Sequence, residues 1–182
     1  MGPVTFRVAG PSDATAVASL HADSWRKHYR GAYCDAFLDG DVFSDRNAVW
    51  TERLHSGNVE TETFLAEDSD GLVGFVHTAL DADPMWGALL DNLHVLSTHQ
   101  RLGIGAALMS RSAAFIVTQR SESGLYLWVL EQNVRAQKFY EAQGGKRADT
   151  ARIAAVDRAV DGPDGAPRCF RYVWRDPSTI SS

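Results

Sequence analysis

The chain has 182 residues, 45% of them apolar, which suits one ordinary domain with a real core. Its formal charge of −5 and pI near 5.6 exclude the concentrated basic face that nucleic acid requires, and no apolar run reaches membrane-spanning length. Cys34 and Cys169 are the only cysteines, too few for a disulfide scaffold and without zinc spacing, so reduced, packed thiols are expected.

Val4 to Val8 alternates apolar and polar residues, a strand pattern. Pro11-Ser12-Asp13 supplies helix-start chemistry, Ala14, Val17, Ala18, His21, Trp25 and His28 follow at helical spacing, and Gly31 closes the helix. Ser44 is read as the cap of a second helix through Val49, Trp50, Arg53 and Leu54, ending near Gly57. Thr61 to Ala66 and Leu72 to Leu80 are β-rich runs joined by a hairpin with Asp70-Gly71 at its tip.

Pro84 breaks the chain before Leu89 to Leu96, an apolar run that fits a buried strand. A polar turn then opens through Gly103 and Gly105 into a long helical stretch. Leu125 to Leu130 reads as another strand and the segment from Asn133 to Gly145 as a helix. A weaker strand lies around Arg147 to Val156, Asp161 to Pro167 is turn chemistry, and Phe170, Tyr172 and Trp174 alternate along a closing strand. The order is β, α, α, β, β, β, α, β, α, β, β, without internal repeats. A single domain over residues 1–176 followed by a loose tail at 177–182 is expected. The N-terminus has no basic start followed by an apolar block, so a cytoplasmic, soluble protein is expected.

The turn at 100–106 has a chemical logic. The first amides of a helix lack intrahelical partners and sit at the positive end of its dipole, so they can point at phosphate oxygens. Glycine removes the Cβ that would hold a phosphate off the backbone, although glycine in such turns is also common without a ligand. The phosphate-binding P-loop pattern is absent, and Leu108 stands where a dinucleotide-binding fingerprint needs a small residue.

The turn does match Gln-x-x-Gly-x-Gly, as Gln100, Gly103 and Gly105, and here the chain resembles the GNAT superfamily of acyl-CoA N-acyltransferases. It departs from the commonest form at Arg101 and Leu102, where Gly and then a basic residue usually stand. A second stretch sharpens the resemblance: Asn133, Ala136, Phe139-Tyr140 and Gly144 look like the family's fifth strand and following helix. Asn133, Ala136 and Tyr140 share a helical face. The two motifs occur in the family's order, about 30 residues apart.

The resemblance implies an α/β (α+β) fold with a mixed, mainly antiparallel sheet of about seven strands flanked by four helices, the cofactor entering where the fourth and fifth strands diverge. It implies acetyl transfer from acetyl-CoA, a co-substrate, to an amine of a small molecule or peptide, without a metal. The amides of Arg101, Leu102, Gly103, Ile104, Gly105 and Ala106 would hold the pyrophosphate, with Gln100 at the entrance. Backbone groups of Leu93 and Val95 would pair with the pantetheine arm, near Asn133 and Ala136. Arg135 and Lys138 are candidates for the outer phosphates or simply a solvated helix face.

An alkyl amine is protonated at neutral pH, so the site must take a proton and return one to the departing thiolate. By resemblance Tyr140 is the general acid; the plainer reading is an aromatic core pair with Phe139. The base is less defined. Many relatives carry a glutamate where this chain has Leu89, which leaves Asp91, His94 or no single base. Asp91 shares the strand parity of Leu93 and Val95, His94 lies on the other side, and a bulge would reset both.

Trp25, Tyr29, Tyr33 and Trp86 are aromatic candidates for the acceptor pocket, with Arg26 as an anion hook, although aromatics at helical spacing are more often core. Homodimers are common among relatives, but nothing in the sequence shows one. The rival reading is a non-catalytic acyl-CoA-binding or sensing module of the same fold.

Overall fold

The structure is a computed structural model that describes residues 2–152 and 167–180. Its elements run β1 (Thr5–Val8), α1 (Ala14–His28), α2 (Asp35–Asp39), α3 (Val42–His55), β2 (Thr61–Asp68), β3 (Gly71–Asp83), β4 (Gly87–Val95), α4 (Ile104–Gln119), β5 (Leu125–Leu130), α5 (Val134–Ala142), β6 (Lys146–Arg152) and β7 (Arg168–Trp174). The seven strands form one sheet in the order β1-β2-β3-β4-β5-β7-β6. Neighbours are antiparallel except β4 and β5.

Strand alternation assigns the two faces. Val76, Leu90, Leu125 and Leu127 meet Leu108, Met109 and Ile116 of α4 in the larger core, together with Tyr140, Tyr172 and Trp174. Leu65 and Phe75 point the other way, into a core with Val17 and Ala18 of α1 and Trp50 of α3. Leu108 is fully buried in the first core, so the large side chain that breaks a dinucleotide fingerprint packs helix against sheet.

Three local expectations are corrected. The second helix begins at Val42, not after Ser44, and the short α2 precedes it. The break between them falls at Gly40, where an added Cβ would lie 2.9 Å from the Ala36 carbonyl oxygen. Residues 177–180 are no loose tail: Pro177–Thr179 is a turn of 3-10 helix capped by the Asp176 side chain, and Ile180 is buried in the α4 core. Finally, Cys169 is buried as expected but Cys34, just before α2, is exposed. The last strand residues expected up to Val156, and the turn chemistry before Pro167, lie outside the described residues.

Candidate active site

The site begins with a failure of pairing. β4 and β5 are matched only at Ala88↔Leu125 and Leu89↔Tyr126. Beyond these residues the strands part, and the cleft between them, about 540 Å³, runs from α1 past β4 and β5 to the first turn of α4 and the inner side of α5. Hydrogen-bonding groups on the facing strand edges are thereby left open to a ligand.

At one end lies the glycine turn. Gly103 is the N-cap of α4 at φ 80, a left-handed conformation that a residue with a Cβ adopts at a cost. Nothing lies within 4 Å of where its Cβ would be. Arg101 also has positive φ, at 64, so the loop carries backbone strain of the sort that clusters at ligand sites. Gln100 folds back and donates from Nε2 to the Val95 carbonyl at 3.2 Å. Its Oε1 is buried without a partner among the described residues, an acceptor still to be satisfied. Amides, strain and the orphaned acceptor suit a phosphate-bearing, hydrogen-bonding ligand.

The cleft brings together most of the residues singled out from the sequence. Leu93, Val95, Gln100, Arg101, Gly103, Gly105 and Ala106 line it on one side, and Asn133, Ala136 and Tyr140 on the other, with Arg135 and Lys138 beside them. Leu102 and Ile104 contribute backbone alone to the turn, since Leu102 is 55% exposed and Ile104 packs into the core. Asn133 caps α5, its side-chain oxygen accepting from the Ala136 amide at 3.2 Å, which fixes where that helix enters the cleft.

Tyr140 is buried against Phe139, Tyr172 and Trp174 and lines the cleft. Burial raises its pKa well above the ordinary phenol value, so it keeps its proton throughout the neutral range. The packed aromatic and the proton-bearing group are thus the same side chain.

The base candidates are arranged by a bulge. β3 and β4 pair at Thr78↔Leu90 and at His77↔Asn92, and the register shifts between them. Asp91 is the extra residue, which resets side-chain parity along the remainder of β4. Asp91 and His94 both line the cleft. Asp91 Oδ2 accepts from Arg53 Nη1 at 2.7 Å and from Asn92 Nδ2 at 2.6 Å. His94 packs on His21 at 4.7 Å between ring centroids and on Phe75 at 5.3 Å. Burial, helped by the charge of His28 and opposed by Asp91, lowers the His94 pKa to about 4. Its imidazole is therefore neutral near pH 7 and able to accept a proton.

The acceptor candidates divide. Tyr29 lines the cleft, whereas Trp25, which does not, is stacked on Tyr29 at 5.0 Å, tilted against Tyr33 at 4.9 Å and covered by the Arg46 guanidinium. Arg26 is no anion hook in the cleft, because it donates to the Leu38 carbonyl and pairs with Asp23. Trp86 is not a lining residue and instead lies 4.9 Å from the Arg171 guanidinium. Ser24, His28 and Trp128 line the cleft without having been singled out as site residues. His21, Ser24 and His28 recur at i, i+3 and i+7, a polar stripe on α1 that periodicity exposes. Trp128 carried no such signal inside an apolar strand.

A cleft opened by diverging strands, with a helix N-terminus at one end and a protonated phenol beside it, defines the class: an acyltransferase that uses acetyl-CoA. Residues 60–144 match the Acetyltransferase (GNAT) domain family. The uncharacterized N-acetyltransferase YuaI of Bacillus subtilis is 31% identical over 158 residues, spanning 84% of this chain and 87% of the relative. The chain belongs to the GNAT family of N-acetyltransferases. The PaiA N-acetyltransferase of Thermoplasma acidophilum, solved in complex with coenzyme A, shares its fold at a TM-score of 0.71 and 18% identity, over 94% of this chain and 99% of that one. NAA60 of Arabidopsis thaliana, solved in complex with acetyl-CoA, does so at 0.66 and 17%, over 94% and 98%. Among the described residues no helix is long and apolar enough to cross a membrane, and no cluster of His, Cys, Asp or Glu could hold a metal ion.

Proposed function

We propose that this protein transfers an acetyl group from acetyl-CoA to a primary amine of a small molecule or peptide, by direct attack of the amine on the thioester. Residues 1–176 act as one domain, with the turn at Pro177–Thr179 packed onto it. The observation that carries the reading is the single cleft that joins the α4 N-terminus, the parted edges of β4 and β5, and Tyr140.

The α4 amides from Gly103 to Ala106 hold the pyrophosphate, with Gln100 closing the loop on β4. Leu93 and Val95 offer backbone groups to the pantetheine arm; Val95 does so with the lone pair that Gln100 leaves free. Arg135 and Lys138 stand at the mouth for the outer phosphates. When bound, acetyl-CoA supplies an activated acyl carbon and a thiol leaving group.

The remaining work is proton movement. His94, neutral at pH 7, takes a proton from the incoming ammonium group directly or through water, with Asp91 holding the positive charge near the entrance. The amine nitrogen forms the new bond to the acyl carbon as the carbon–sulfur bond breaks. Tyr140 donates its proton toward the sulfur, and the amine's second proton leaves to solvent.

Titration with acetyl-CoA by calorimetry, followed by a thiol-release assay over a panel of amines, tests the reading. Binding with amine-dependent release supports it. Binding without release on any amine supports the sensing module instead, and absence of binding would mean that the loop does not hold the donor.

A further inference from the structure

Arg171 is not used by the chemistry above, and its surroundings are unusual. It lies on β7 opposite Trp128 of β5, so the two side chains share a face of the sheet. The guanidinium carbon is 4.5 Å from the Trp128 ring centroid, 4.9 Å from Trp86 and 5.3 Å from Tyr126. The side chain is only 14% exposed, and the carboxylate that approaches it among the described residues, the half-exposed Asp149 of β6, is 3.9 Å away. That is beyond hydrogen-bonding distance. Nε is buried with no partner among the described residues.

Ring faces stabilise the cation, but they do not accept its in-plane N–H groups. A guanidinium that is largely desolvated, with its Nε–H unpaired among the described residues, is costly unless an anion completes it. The planar fork matches a carboxylate through paired hydrogen bonds, as it does a phosphate, and the donor's pyrophosphate is assigned to the α4 turn. Trp128 connects this place to the cleft, because the same residue lines it. Asp91 lines the cleft from β4, with its Oδ2 paired to Arg53. The protein is net negative, so a carboxylate entering here needs a local cation to oppose the overall field.

We propose that Arg171, walled by Trp86 and Trp128, is the carboxylate-binding subsite for the acceptor, and that the acceptor is an amine bearing a carboxylate, an amino acid or the end of a short peptide. The inference rests on the acetyl-transfer reading for what the acceptor undergoes, but not for the anion site itself. The carboxylate is bound and unchanged, and only the amine nitrogen is acylated.

The test compares matched pairs in the thiol-release assay: each amino acid against its amide and its decarboxylated amine, for the parent, Arg171→Gln and Arg171→Lys. The parent is expected to favour the carboxylate member by roughly ten- to a hundredfold in kcat/KM, the range for one charge-assisted contact. Arg171→Gln should bring that ratio close to one through KM for the amine. Arg171→Lys keeps the charge without the fork, recovers part of the preference, and serves if the glutamine variant fails to fold.

A second measurement needs no turnover: calorimetric titration of the CoA-saturated protein with N-acetyl amino acids. Binding by the parent that is lost in Arg171→Gln supports the subsite even where no amine releases thiol, in which case acetyl transfer alone falls. A parent that accepts both members of each pair equally overturns the proposal. So does a ratio unchanged in Arg171→Gln, or a failure of both amino acids and N-acetyl amino acids to bind.

Discussion

The Ser24 hydroxyl is hydrogen-bonded to Nδ1 of His94 at 2.8 Å, tying α1 to the end of β4 across the cleft. The bond fixes the imidazole ring, and in the tautomer whose Nδ1–H donates to Ser24 the Nε2 lone pair is the one that can take a proton. His94→Gln should lower kcat by roughly 10²- to 10⁴-fold, the range for losing a positioned base, with acetyl-CoA affinity retained. Ser24→Ala should cost less, since the ring remains. Because His94 is held near a pKa of about 4, kcat at saturating amine should show no acid limb near pH 6.5. A limb at that pH, or a parental rate in His94→Gln, would remove the assignment.

Tyr140→Phe keeps the ring that packs against Phe139, Tyr172 and Trp174 and deletes the proton. Turnover should fall while calorimetric binding of acetyl-CoA stays within about twofold, since uniform binding is untouched. Unchanged turnover would return Tyr140 to a purely packing role.

Gly103 tests the loop. At φ 80 with open space around it, Gly103→Ala meets no clash and should cost about 1–2 kcal/mol of stability through its backbone alone. The turn would relax away from the left-handed conformation, so acetyl-CoA should bind more weakly as well. Denaturant melts and calorimetry read the two effects separately.

Acid should unfold this protein through its buried histidines. The Trp50 indole donates to His21 Nδ1 at 2.9 Å, leaving Nε2 enclosed without a partner among the described residues. His21 is held well below its ordinary value of 6.5, first by burial, while burial brings His77 to about 4 and His94 likewise. The unfolded chain binds more protons between these values and 6.5, so stability is full above pH 6.5 and is lost as pH falls toward 4. Melting temperature against pH should show that slope, and it should be shallower in His77→Gln.

Much of the fold was legible because period and punctuation agree. The hairpin at Asp70-Gly71, the strand before Gly103 and the motif around Asn133 each combine a hydrophobic pattern with a turn residue of known geometry. What the pattern of residues does not place depends on neighbours distant in sequence. A one-residue bulge at Asp91 is set by its pairing with β3, and periodicity alone does not mark it. Ile180 gains its place from α4, although the polar residues around it read as a tail. Trp128 and Arg171 became partners only when β5 and β7 aligned.

The parting of β4 from β5 bears on a problem that all sheets share. An unpaired strand edge is a template for aggregation, and proteins usually blunt such edges with charge, bulges or brevity. Here a pair of edges begins after Leu89 and Tyr126, in the middle of the sheet and flanked by α1, α4 and α5. Another polypeptide strand, with side chains projecting on both faces, is too broad to dock there. A slim, flexible arm is not. The same geometry that makes the edges adhesive to one kind of molecule makes them harmless toward copies of the protein itself.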